Sequence, residues 1–136
     1  MKTEINLQTK LYILKDNLTE LINLYEKKKL SNKILLSGAK GIGKSTLVNH
    51  FINYIFSKEE EYPYDLKNMS IFTENRSFKL FQNNSHPNIY NIKILDEKKN
   101  IEINQIREMI SYANKSSFND KPRFVIINNV EKLNKN

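Results

Sequence analysis

The chain has 136 residues, with 22 Lys plus Arg against 15 Asp plus Glu, giving a formal net charge of +7. With 39% hydrophobic residues and a mean hydropathy of −0.61 it has apolar material for one compact domain, and no apolar run nears the ~18 residues of a membrane span. It has no cysteine, which excludes a disulfide framework, a thiolate metal site and a cysteine nucleophile; with no apolar segment at Met1–Asn6, the expected location is the cytoplasm.

Asp16 and Asn17 are expected to cap a first helix, in which Leu18, Leu21, Ile22 and Tyr25 recur at i, i+3, i+4, i+7 on one face. The residues before Asp16 either extend this helix or form a separate arm. Lys27-Lys28-Lys29 then reads as a solvated helix end, where cations suit the dipole; a nucleic-acid patch is the sharper reading. Lys33-Ile34-Leu35-Leu36-Ser37 is a short apolar run that reads as a buried strand of a parallel sheet. Ser45 to Phe56 carries Leu47, Val48, Phe51, Ile52, Ile55 and Phe56 at helical spacing, and the charged, Pro-marked segment 58–63 breaks it.

From 62 to 88 the periodicity is weak. Ser77 to Phe81 reads as a short element and Gln82 to Asn88 as turn-rich. Ile89 to Leu95 alternates and reads as a second strand. Asn104 is expected to cap another helix, with Ile106, Met109, Ile110 and Ala113 facing inward. Arg123-Phe124-Val125-Ile126-Ile127 reads as a third strand, apolar after Arg123 and so buried on both faces. Helices alternating with strands imply an α/β domain with a parallel sheet. Three strands make a thin sheet, so the chain is expected to be the N-terminal part of something longer.

Average usage of ~7% predicts roughly nine glycines in a chain of this length. This one has 3, and all fall in one loop: Gly38, Gly41 and Gly43. Gly38-Ala39-Lys40-Gly41-Ile42-Gly43-Lys44-Ser45 fits G-x-x-x-x-G-K-[ST], between an expected strand and an expected helix. In this motif backbone amides and the helix N-terminus surround a polyphosphate. Gly38 through Thr46 are therefore the candidate nucleotide-binding residues. Lys44 is expected to reach the β- and γ-phosphates, Ser45 to ligate Mg²⁺, and Thr46 to help at the α-phosphate. The cofactors implied are ATP, or another nucleotide, and Mg²⁺.

A hydrolytic site of this type also needs carboxylates at the end of a neighbouring strand, to hold the metal's water shell and activate the attacking water. The strand 124–127 ends instead in Asn128-Asn129, and Glu131 lies beyond it. An amide carries no charge and takes no proton as a carboxylate does. Asn128 is thus a degenerate metal position, no residue is assigned as catalytic, and hydrolysis is expected to be weak or absent.

Four segments together resemble the AAA+ module of bacterial clamp-loader subunits, nearest the delta-prime type of DNA polymerase III. Lys29 to Gly38 runs into the phosphate loop as in that family. Ser85-His86-Pro87-Asn88 is similar to its His-Pro-Asp element, and Ile101 to Glu108 to its I-x-V-D-Q-I-R-E helix start. Lys121 to Asn134 is similar to its Walker B strand and the D-N-A-E-K-L-N that follows. The resemblance spans roughly residues 18–136. It implies a P-loop, RecA-like parallel sheet flanked by helices, interrupted after the Walker B strand, with lid and collar domains absent.

It also implies a subunit that joins other clamp-loader subunits to place a sliding clamp on primed DNA. The family's Walker B aspartate falls on Asn128, and the four-cysteine zinc module is missing, so segment 57–88 must be organised otherwise. A strand lying between the phosphate-loop strand and the Walker B strand would also be missing, which implies low stability for the chain alone. His86 and Pro87 read as a turn with its capping imidazole, and Arg107 as half of a surface ion pair, a contact with a partner subunit being the other reading. Two other readings remain open: a small P-loop kinase, and a non-catalytic nucleotide-binding scaffold.

Overall fold

The computed structural model describes residues 8–93, 100–115 and 119–128. The chain forms two compact units, residues 1–83 and 84–136.

In the first unit, α1 (Lys15–Glu26), α2 (Lys44–Ser57) and α3 (Arg76–Gln82) follow one another. Leu18 and Ile22 of α1 are buried, Leu21 is half-buried, and the Tyr25 ring meets Phe51 of α2 edge-on at 6.1 Å. The apolar face is as expected, but the cap is not. Leu14, at φ 66, holds the N-cap position with no side-chain hydrogen bond, and Asp16 and Asn17 lie within the first turn. Asp16 there contributes charge at the positive end of the helix dipole rather than a cap.

Residues 8–13 form an arm. The Leu11 amide donates to Met69 O at 2.9 Å and the Ile71 amide to Thr9 O at 2.7 Å, pairing the arm antiparallel with the segment after α2. The arm, α1 and that segment surround α2, which buries Leu47, Phe51, Ile52, Ile55 and Phe56 together with His50, Asn53 and Ser57. Each large apolar side chain buried this way stabilises the unit by about 1.5–3 kcal/mol.

Polar pairs organise segment 57–83, which has no cysteine. Asn53 and Asn75 exchange amide hydrogen bonds at 3.1 and 2.9 Å, and Asn75 Oδ1 also caps α3 by accepting from the Phe78 amide at 2.7 Å. The Glu60 carboxylate accepts from the Ser77 amide and hydroxyl at 2.8 and 2.7 Å. Ser57 Oγ accepts from the Tyr64 amide at 2.9 Å. Among the described residues no group of His, Asp or Glu side chains is arranged to hold a metal.

The expected strand at 33–37 does not form. Residues 34–37 belong to no strand or helix, and Ile34 and Leu35 are 49% and 75% exposed. A strand's amides and carbonyls are satisfied only by a neighbouring strand. Among the described residues the sheet consists of two other strands, and this segment has no partner in it.

In the second unit, β1 (Ile89–Ile92) and β2 (Phe124–Ile127) pair in parallel, Ile89 opposite Phe124 and Ile92 opposite Ile127. Leu95 and its neighbours lie outside the described residues. Val125 is 38% exposed, so β2 is not buried on both faces as its composition suggests; among the described residues its sheet has one other strand. The connecting helix α4 (Ile103–Asn114) lies against β1, with the rings of Tyr112 and Tyr90 5.1 Å apart.

The cap of α4 is Glu102, whose amide donates to Gln105 Oε1 at 2.9 Å; Asn104 lies two residues past it, at the second helical position, too late to serve. Ile106 and Met109 are half-buried, whereas Ile110 and Ala113 face solvent, because the two-stranded sheet is too narrow to cover the whole apolar stripe. Arg123 closes the other end of α4, donating to the carbonyls of Tyr112 and Ala113 at 2.8 and 3.2 Å. His86 caps its turn as expected, its Nδ1 accepting from the Asn88 amide at 3.2 Å. Among the described residues Arg107 forms no ion pair, and Lys58–Glu26 is the one such pair.

Candidate nucleotide-binding loop

The loop 38–43 is open to solvent and delivers the chain into α2. Gly41 and Gly43 have φ of 84° and 105°, a region where a side chain is strained. Gly38 has no such need: a Cβ there would meet only Ile42 Cγ2, at 3.5 Å. Ala39 O accepts from the Ile42 amide at 3.2 Å, forming the tight turn at the loop's centre.

α2 begins one residue earlier than the periodicity indicates, at Lys44. Its N-cap is Gly43, which offers no side chain to the first-turn amides. Gly43 O accepts from the Leu47 amide at 2.9 Å, leaving the amides of Lys44, Ser45 and Thr46 at the uncapped positive end of the helix. Such an end suits an anion. Lys44 is half-buried and its Nζ donates to Gly38 O at 2.8 Å, so the ammonium already folds back over the loop. Ser45 is exposed and Thr46 half-buried. The loop therefore brings Gly38 through Thr46 together in one short, continuous segment of the first unit.

Two features around the loop and α2 were not visible in the motif. Leu14 Cδ1 lies 4.0 Å from the point where a Gly43 Cβ would sit, so the N-cap residue of α1 borders the loop. Further along α2, His50 is fully buried; its Nε2 donates to Gln8 O at 2.9 Å and its Nδ1 accepts from the Tyr64 hydroxyl at 2.7 Å. The carbonyl can only accept, which sets the tautomer. Burial lowers the pKa of His50, against the Gln8 hydrogen bond, and raises that of Tyr64.

Asn128 lies in the second unit, directly after β2. Its amide donates to Ile92 O at 3.1 Å and its side-chain Nδ2 to Asn91 Oδ1 at 2.8 Å. The residue at the family's acidic position is thus a neutral amide already paired with another amide. Asn129 and Glu131 lie outside the described residues.

No curated protein matches the chain significantly. A sequence model of the family described as DNA polymerase III, delta subunit, matches residues 13–136, nearly the whole length. That span includes α1, the glycine loop, α4 and β2. Among the described residues no helix is long and apolar enough to cross a membrane. The chain belongs to the DNA polymerase III delta-subunit family, the clamp-loader proteins of DNA replication.

Proposed function

We propose that this chain is a delta-prime-like clamp-loader subunit of AAA+ type. It binds ATP through residues 38–46, hydrolyses it poorly by itself, and works with other clamp-loader subunits to place a sliding clamp on primed DNA. The observation that carries the nucleotide reading is the backbone of the loop. Two glycines at positive φ lead into a helix whose first turn has no side-chain cap, with the Lys44 ammonium folded over the loop. These features fit a polyphosphate chemically: amide donors at a positive helix end and one cation folded over the loop. On binding, Lys44 would exchange the Gly38 carbonyl for β- and γ-phosphate oxygens.

Ser45, exposed at the second helical position, would hold Mg²⁺ alongside the nucleotide, and Thr46 would sit at the α-phosphate. The bound metal would screen phosphate charge. Asn128 supplies no carboxylate to position its water shell, which supports poor hydrolysis.

The test is titration of the full chain with a fluorescent ATP analogue and Mg²⁺, beside Lys44→Ala. Saturable binding that falls about 10–100-fold in Lys44→Ala is expected, since a charge-assisted hydrogen bond contributes about 1.5–3 kcal/mol. ATP turnover should stay near background in both. Brisk turnover that depends on Lys44 overturns the poor-hydrolysis reading. Absence of binding leaves an inert scaffold, and phosphoryl transfer to a small acceptor indicates a kinase.

A further inference from the structure

From Lys27 to Lys58 the chain has no acidic residue and carries seven lysines. Lys40 and Lys44 belong to the nucleotide loop, and Lys58 pairs with Glu26. The other four, Lys27, Lys28, Lys29 and Lys33, follow the end of α1, are exposed, and have no ion-pair partner among the described residues.

The backbone here is wound tightly. The Lys29 amide donates to Leu24 O at 2.8 Å and the Lys28 amide to Tyr25 O at 3.0 Å, a paired closure of the helix end. That closure places Lys28 at φ 56°, a conformation in which glycine is usual and asparagine tolerated. At the end of α3 the same chain places Asn84 at φ 55°. At the end of α1 it places a lysine, the less favourable choice for the backbone. Lys33 is held in turn by Ser31, whose Oγ accepts from the Lys33 amide at 3.3 Å and donates to Lys33 O at 2.9 Å.

We infer that Lys27, Lys28, Lys29 and Lys33 form a contact surface for the phosphodiester backbone of nucleic acid, separate from the nucleotide loop. Four lysines within seven residues, on a turn ordered by these hydrogen bonds, suit successive backbone phosphates. Within the segment Leu30 is half-buried, but Ile34 and Leu35 just beyond Lys33 are exposed, so capture by an anionic lipid surface is the outcome the test must exclude. The choice of DNA rests on the clamp-loader reading; the contact itself needs no ATP, so its failure is separable from that of the nucleotide site.

The experiment is fluorescence anisotropy of a labelled primed DNA duplex with the full chain, without nucleotide, across a salt series. A variant carrying Lys27→Gln, Lys29→Gln and Lys33→Gln should bind at least about tenfold more weakly. Its slope of log affinity against log salt should be shallower by about 2–3, close to 0.9 for each phosphate no longer neutralised. Lys28→Gly should weaken DNA binding while holding the melting temperature or raising it by up to about 5 °C, because glycine relieves the positive φ. Binding that is absent in the unaltered chain, or unchanged in affinity and salt slope by the triple substitution, overturns the proposal. So does a Lys28→Gly variant that melts lower, or equally tight capture by phosphatidylserine vesicles.

Discussion

His50 is sealed between the Gln8 carbonyl, which takes its one proton, and the Tyr64 hydroxyl, which fills its other nitrogen. A second ring proton would require the phenol to turn its lone pair inward while the charge stayed buried. This is why its pKa is lowered by desolvation. The folded state therefore resists a proton that the unfolded chain accepts. The stability gained is complete above the unfolded value, about 6.5, and is lost as pH falls below it. Melting temperature should decline between pH 7 and pH 5. His50→Phe should melt lower at pH 7 yet lose most of that slope; a slope unchanged in the variant would show that another group titrates. Besides the buried serines, asparagines settle polar positions in amide pairs. Asn53 with Asn75, Asn88 with Asn119, and Asn91 with Asn128 each match a donor to an acceptor without introducing charge.

At the scale of elements, the loop and its helix separate two kinds of glycine that the motif treats alike. Gly41 and Gly43 hold positive φ, whereas Gly38 does not and has room for a methyl group. Gly41→Ala and Gly43→Ala should each destabilise the chain by about 1–2 kcal/mol. Gly38→Ala should stay within about 0.5 kcal/mol, measured by urea denaturation. Equal losses at all three would mean that Gly38 is strained in a way its surroundings do not show. Periodicity located α1, α2 and α4 because each has one face turned to a core. It could not locate their caps: Leu14 and Gly43 offer no capping side chain, and Glu102 caps α4 in place of Asn104.

Across the whole molecule the apolar core is unevenly shared. Of the 13 buried hydrophobic residues among those described, only Ile92 and Ile101 lie beyond residue 83. Among the described residues the second unit has a two-stranded sheet and a helix that buries no residue fully. Isolated pairs of strands are marginal in water, whereas a helix enclosed on several sides opens only with its unit. Hydrogen exchange should therefore be slowest at α2 amides around Phe51 to Ile55 and much faster along β1 and β2. Comparable protection in both would show that the second unit draws stability from elsewhere.

Glycine placement, motif spacing and helical periodicity made the glycine loop before α2, three of the four helices and the clamp-loader family legible from the sequence alone. These are local properties, in which neighbouring residues satisfy one another. The tertiary structure decided what depends on distant partners: that residues 8–13 are an arm, that the Asn53–Asn75 pair organises the cysteine-free segment, and that residues 33–37 form no strand. An apolar run records the capacity to be a strand. Its amides and carbonyls become one only when another strand lies alongside.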